Sequence, residues 1–372
     1  MFKKSIALFA MLSLLFALCA CGAPANEEEK ESALELVGTY TKDLAGTTLN
    51  VYNWGEYISS GADGTMDVVA EFQKLTGIKV NYSTFDNNEM LYTKIAGGGT
   101  NYDVIIPSDY MISRMIEEGM LNKINLDNIP NMRYVLPEYT KLYYDPTGEY
   151  SVPYTIGMVG MIYNTKLVSE PPTSWSAMWD PQYKGQILQF DNPRDAFGMA
   201  QYLLGQDVNT ANPDDWRAAA DKLIEQAPLV QSYVSDKVYN LMEDEEATLA
   251  AYYAGDFVLM NETNPNLAFV FPDEGTNFFY DSFCIPKAAQ NVPAAELFIN
   301  FMLEPAVAIE NALAVMYASP YSSVRENPDY VYKDNPYLYP ETMPAGIQNF
   351  THLSQDTIKL MDNLWVEVKQ AH

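Results

Sequence analysis

The sequence predicts an α/β protein with two domains of ordinary size, and three observations carry that prediction. Apolar, strand-like runs alternate with helical periods in βαβαβ order between Leu49 and Ile106. A second alternation of the same kind begins after Tyr150-Ser151-Val152-Pro153-Tyr154. The chain has 372 residues, and from about Thr47 onward it is long enough for two cores.

Ahead of that body, Lys3 and Lys4 precede a nearly uninterrupted apolar run from Ile6 to Ala20, the pattern of an export signal. The run is too short to be a good spanning helix. Leu18-Cys19-Ala20-Cys21 resembles the lipobox of bacterial lipoproteins, which implies a signal peptide over 1–20 and a lipid on Cys21. The alternative is an ordinary secretory signal cut near Ala23. Residues 21–46 then read as a lipidated start and a flexible acidic tether, because Glu27, Glu28, Glu29 and Glu31 leave too little apolar content to pack. Such a segment lets a folded body hover at a membrane through its lipid alone. Cys19 leaves with the signal and Cys21 is used for lipid, so only Cys284 remains in the body and no internal disulfide can form. Cys284 lies in the apolar run Ser282-Phe283-Cys284-Ile285, where a cysteine is usually a small buried hydrophobe.

The body opens with the strand-like Leu49 to Trp54. Val68, Val69, Phe72 and Leu75 recur at helical spacing, and Gly77 stops that helix. Ile78 to Tyr82 is the next strand, Asn88 to Ile95 the next helix, and Gly97-Gly98-Gly99 a turn. No lysine or hydroxyl follows those glycines at the spacing of a phosphate loop. Tyr102 to Ile106 is apolar enough for a parallel strand covered on both faces. In the second half Gly157 to Asn164 reads as strand and Trp175 to Trp179 as helix. Further helices are expected near Asp195 to Leu204, Asp214 to Ala227 and Ala294 to Leu303.

The formal charge of −27, from 49 acidic against 22 basic residues, argues against a nucleic-acid partner and favours small cations. With two histidines, one of them the terminal His372, a hydrolytic triad would have to use His352. Catalysis therefore finds little support.

Val51-Tyr52-Asn53-Trp54-Gly55-Glu56-Tyr57, Tyr102 to Ser108, Tyr150 to Tyr154, Thr173-Ser174-Trp175, Tyr183-Lys184-Gly185 and Asp281-Ser282 with Ile285-Pro286 closely resemble the spermidine/putrescine-binding proteins of bacterial ABC importers. The resemblance runs in register from about Leu49 to Tyr317. It implies the type II periplasmic-binding-protein-like fold, in which two α/β lobes are joined by two crossover strands and the ligand lies in the cleft between them. On that reading lobe 1 comprises 47–156 and 281–325, and lobe 2 comprises 157–280 and 326–372. The implied function is an extracytoplasmic, monomeric binding component. It would hand a polyamine to ABC permease subunits, touch the membrane through its lipid only, and use no cofactor.

A polyamine is an apolar chain bearing ammonium groups whose pKa should lie near the lysine value of about 10.4. Carboxylates must pair with those ends, and aromatic faces must line the methylenes. The resemblance implies such a wall from Trp54, Tyr57, Ser108, Tyr110, Asp195, Ser235, Tyr253, Phe279, Asp281 and Tyr317. Asp109 is expected as an added carboxylate at the rim. The family's acidic pair in the second lobe falls on Asn192 and Asp195, so one acid is an amide here. Asp191 and Asp256 are the candidate substitutes. With Asp281 and Asp195 as the principal anions, the short diamine putrescine is expected to compete better than in relatives with the full acidic set. Rival readings are a site for another cationic amine, a metal held by tyrosines and aspartates, and a thiaminase-I-like enzyme using Cys284 as nucleophile.

Overall fold

The computed structural model describes residues 35–99 and 101–372. The expected signal peptide and the lipid attachment at Cys21 lie outside the described residues. Residues 37–40, inside the expected tether, are held against the body: the backbone N–H groups of Val37 and Gly38 and the Tyr40 hydroxyl all donate to the Glu304 carboxylate at 2.7–2.9 Å.

The first β-unit follows the predicted order. Strand β1 (Thr48–Trp54) is flanked in parallel by β2 (Lys79–Phe85) and β3 (Val104–Ile105). Between them run α1 (Val68–Thr76) and α2 (Asn88–Ala96), the first capped by Asp67, which accepts from the Ala70 N–H. Phe72 on the buried face of α1 meets the rings of Phe298 and Phe301 at 5.1 and 5.4 Å. The β3 ladder is shorter than the Tyr102–Ile106 expected. Asp103 turns its carboxylate onto the N–H groups of Asn50, Gln290 and Asn291, and Pro107 has no N–H to extend the ladder. Helix α3 (Asp109–Glu117) follows at once.

Strand β4 (Ser151–Asn164) is the spine of the molecule, with all fourteen residues buried. Its first half pairs antiparallel with β9 (Phe278–Cys284), and its second half pairs with β7 (Leu249–Tyr253) and β8 (Leu267–Val270). Strand β5 (Ile187–Phe190) lies parallel to β7 and to β6 (Val230–Val234). The nine-stranded order is β2-β1-β3-β9-β4-β7-β5-β6, with β8 attached to β4. Helices α4 (Pro193–Leu203), α5 (Pro213–Gln226), α6 (Lys237–Glu243) and α7 (Ala254–Thr263) cover the second half of the sheet. Trp175–Trp179, read as helix, forms a 3₁₀ turn.

Helices α8 (Val292–Met302), α9 (Pro305–Val315) and the short α10 (Ser322–Arg325) follow β9. Helix α11 (Gln355–Gln370) packs on α5 and α4. Among the described residues no single helix is long and apolar enough to cross a membrane.

Candidate functional site

The parallel strands of both halves end at one place. Trp54 closes β1, Phe85 closes β2, and Ser108 follows β3. Asn192 follows β5, Ser235 follows β6 and Tyr253 closes β7. Ligands of open parallel sheets lie outside such carboxyl ends. These residues line a cleft enclosing about 810 Å³ that is open to solvent. All ten residues expected from the sequence line it, three of them (Phe279, Asp281 and Tyr317) from β9 and the segment after α9. The sequence reading missed Asp86, Asp236, Tyr239 and Tyr252, which line the cleft as well.

The aromatic wall is an arc of ring edges. Tyr57 meets Tyr317 at 5.0 Å, Tyr317 meets Phe279 at 6.4 Å, and Phe279 meets Tyr253 at 5.5 Å. Trp54 leans on Phe85 at 4.4 Å. Two glycines make the arc possible. A Cβ on Gly157 would lie 2.2 Å from the Phe279 ring, and one on Gly255 would lie 2.3 Å from the Tyr317 ring.

Asp281 sits in this wall with 3 % of its surface exposed. Its Oδ2 accepts from the Tyr57 hydroxyl and its Oδ1 from the Ser108 hydroxyl, both at 2.6 Å. Each donor has a second partner: Tyr57 is 2.6 Å from Thr155 Oγ1, and the Asn88 amide donates to Ser108 Oγ at 3.0 Å. Burial pushes the Asp281 carboxyl up to about 6, and the hydroxyl donors hold it from rising further.

Asp195 is in the first turn of α4, where Asn192 is the N-cap and accepts from the Arg194 N–H. The aspartate therefore does what first-turn acids do, and it also faces the cleft. The Asn192 amide and the Tyr253 hydroxyl both donate to its Oδ2 at 2.7 Å. Burial pushes this carboxyl up to about 7. Asp256, in the first turn of α7, accepts from the Tyr317 hydroxyl at 2.8 Å and from the Tyr239 hydroxyl, and burial raises it to about 7 as well.

Asp109 is not at the rim. It is fully buried as the first residue of α3, accepting from the Tyr143 hydroxyl at 2.6 Å and from the backbone N–H of Tyr280 at 3.2 Å. Burial raises it to about 8, so at neutral pH it is a largely protonated wall group rather than a surface anion. Asp191, the other candidate substitute, is tied to Lys369 at 2.7 Å. Cys284 is buried at the end of β9, and burial pushes its thiol well above the ordinary range, which removes the thiolate that a nucleophile needs. Among the described residues no group of three or more His, Cys, Asp or Glu is arranged to hold a metal ion. Chemically, the arrangement suits an elongated cation: aromatic edges for an apolar stem, and carboxylates spaced around it for charged ends.

Comparison with known proteins gives the same picture. The family described as bacterial extracellular solute-binding protein matches residues 67–339. The spermidine/putrescine-binding periplasmic protein of Escherichia coli is 34 % identical over 303 residues, covering 80 % of this chain and 85 % of that protein. A solved structure from Listeria monocytogenes, assigned to a spermidine/putrescine ABC transporter, superposes with a TM-score of 0.82 at 36 % identity, covering 88 % of this chain and all of that one. The TpPotD lipoprotein of Treponema pallidum superposes with a TM-score of 0.73 at 27 % identity, covering 86 % of this chain and 99 % of that one. The periplasmic-binding-protein-like α/β fold expected from the sequence is the fold these structures share with it.

Proposed function

The chain belongs to the family of bacterial extracellular solute-binding proteins, and from that premise we propose that it captures a protonated polyamine, putrescine or spermidine, outside the cytoplasm. It delivers that ligand to the permease of an ABC importer. One observation carries the reading above the others. Asp281, Asp195 and Asp256 face a cleft of tyrosine, phenylalanine and tryptophan rings, and among the described residues none of the three makes an ion pair. An anion left without a counter-charge inside a protein costs several kcal/mol, so the natural complement is a cation supplied by the ligand. Asp256 adds a third anion to the two expected, and a triamine then finds as many acceptors as a diamine.

The lobes of this reading are 47–156 with 281–325 and 157–280 with 326–372. They move about β4 and β9, the strands that pair with both halves of the sheet. Closure over the ligand then presents a changed surface to the permease. Attachment through lipid on Cys21 is supported by the lipobox-like Leu18 to Cys21 and by the likeness to a Treponema lipoprotein. Calorimetric titration of the body lacking residues 1–21 against diamines, triamines and neutral amino acids tests the ligand class. Saturable binding of the amines alone is expected, and binding of a neutral solute in preference to every amine overturns the proposal.

A further inference from the structure

The hydrogen bonds around the three cleft carboxylates supply no positive charge. Tyr57 and Ser108 serve Asp281, Tyr253 and Asn192 serve Asp195, and Tyr239 and Tyr317 serve Asp256, all of them neutral donors. The Arg194 charge pulls the Asp195 carboxyl down against its burial, but neither Arg194 nor Lys369 bonds to the cluster. The Arg194 guanidinium donates to the Val208 carbonyl and to Asn209 Oδ1, both at 2.8 Å, and lies 4.2 Å from the Phe350 ring, while Lys369 is held by Asp191. The other ionisable groups that face the cluster, its tyrosines aside, are acids: Glu89 on α2, Asp109 on α3, itself largely protonated at neutral pH, Asp86 after β2, and Asp236 at the cap of α6, which Glu56 from the turn after β1 raises in turn. Asp362 on α11 reinforces Glu89.

The same hydrogen bonds do accommodate protons. A tyrosine hydroxyl donates to an ionised carboxylate and, by rotating, accepts from a protonated one. Asp256 is served by two such hydroxyls. Asp195 takes both of its donors on Oδ2, leaving Oδ1 to carry either a proton or a bond to a ligand. We propose that this cleft exchanges protons for its cation: Asp195 and Asp256 hold protons when no cation is bound and release them to solvent as ammonium groups take their place. The inference rests on the polyamine reading above and adds a regulation to it, in which capture strengthens as the surroundings become less acidic. Burial raises both carboxyls to about 7, which sets the exchange in the neutral range, while Asp281 at about 6 is the more ionised first anchor.

The ligand's own amines, near pKa 10, stay charged throughout this range, so the released protons come from the protein. Titrating putrescine into the full-length protein in detergent, at pH 7 in phosphate and in Tris, reads the proton count from the buffer dependence of the heat. About one proton per putrescine is expected, half from each aspartate, together with a fall in affinity of roughly 100-fold between pH 8 and pH 6. Asp195→Asn should remove about half of the count. An infrared difference spectrum of the unaltered protein should lose protonated-carboxyl absorption on addition of putrescine. Tight binding with the same heat in both buffers and no infrared loss overturns the exchange and leaves the polyamine reading intact. Absence of binding by any amine overturns both.

Discussion

Replacing Asp281 by asparagine removes one negative charge at constant shape. An ammonium about 4 Å from the carboxylate, at the effective dielectric of about 20 usual for protein sites, loses roughly 4 kcal/mol of attraction. Measured truncations of buried, hydrogen-bonded charge pairs fall at about 2–5 kcal/mol, so putrescine and spermidine should each bind at least about 30-fold more weakly. The fold should not suffer with it. Tyr57 retains Thr155 at 2.6 Å and Ser108 retains Asn88 at 3.0 Å, so neither hydroxyl is orphaned when Asp281 ceases to be an anion. Calorimetry against both amines, paired with thermal unfolding of the ligand-free protein, separates the two effects. An Asp281→Asn protein that binds both amines within threefold of the unaltered protein refutes the assignment of Asp281 as an anchor. One that has also lost several degrees of melting temperature refutes the argument that its neighbours are independently satisfied.

Ligand-free stability should depend on pH in the direction opposite to most acidic proteins. Asp195 and Asp256 titrate near 7 when folded and near the ordinary aspartate value of about 3.9 when unfolded. The folded state therefore holds more protons across that window, its stability falls as pH rises from about 4 through 7, and Asp109, at about 8, extends the fall to about pH 8. Melting curves that rise steadily from pH 5 to pH 8 without ligand contradict this. Asn192→Asp keeps the N-cap acceptor for the Arg194 N–H but sets a second carboxyl 2.7 Å from Asp195 Oδ2. Competition binding should then shift towards spermidine relative to putrescine, and an unchanged ratio removes Asn192 from the selectivity argument. Cys21→Ser should move the protein from the membrane fraction to the medium, and mass spectrometry finding a mature start downstream of residue 21 in the unaltered protein contradicts the anchor.

The fold was legible wherever one local pattern dominated. Val68, Phe72 and Gly77 mark α1 because a capped, one-faced helix writes its period into the sequence. Helix α7 was not read: Ala254, Gly255, Phe257, Val258 and Met260 are buried on several sides, so it lacks the single apolar stripe that period reading detects. The β3 ladder was overread because the capture of backbone donors by Asp103 depends on Gln290 and Asn291, far away in sequence. At the site, Trp54, Tyr57 and Asp281 were legible through the family resemblance of the motifs that hold them, and the cleft gathers them. Asp86, Asp236, Tyr239 and Tyr252 were missed because they come from the end of β2, the cap and first turn of α6 and the end of β7, and acquire meaning only when the sheet brings those segments together. The burial of Asp109 was invisible for the same reason, since its partners Tyr143 and Tyr280 come from separate segments.

The position of β9 has a consequence for the order in which the molecule can form. On the edge of β3 away from β1, Ile105 is partnered by Cys284, and Ser151 to Met158 in β4 form their ladder with Phe278 to Cys284. A growing chain that has not yet reached Cys284 thus carries two strands with open edges and lacks Asp281 altogether. No early segment can close into a finished half by itself, and pairings between residues so distant in sequence fold slowly. For a chain made on one side of a membrane and used on the other, this delay keeps it threadable until its last strands have been made.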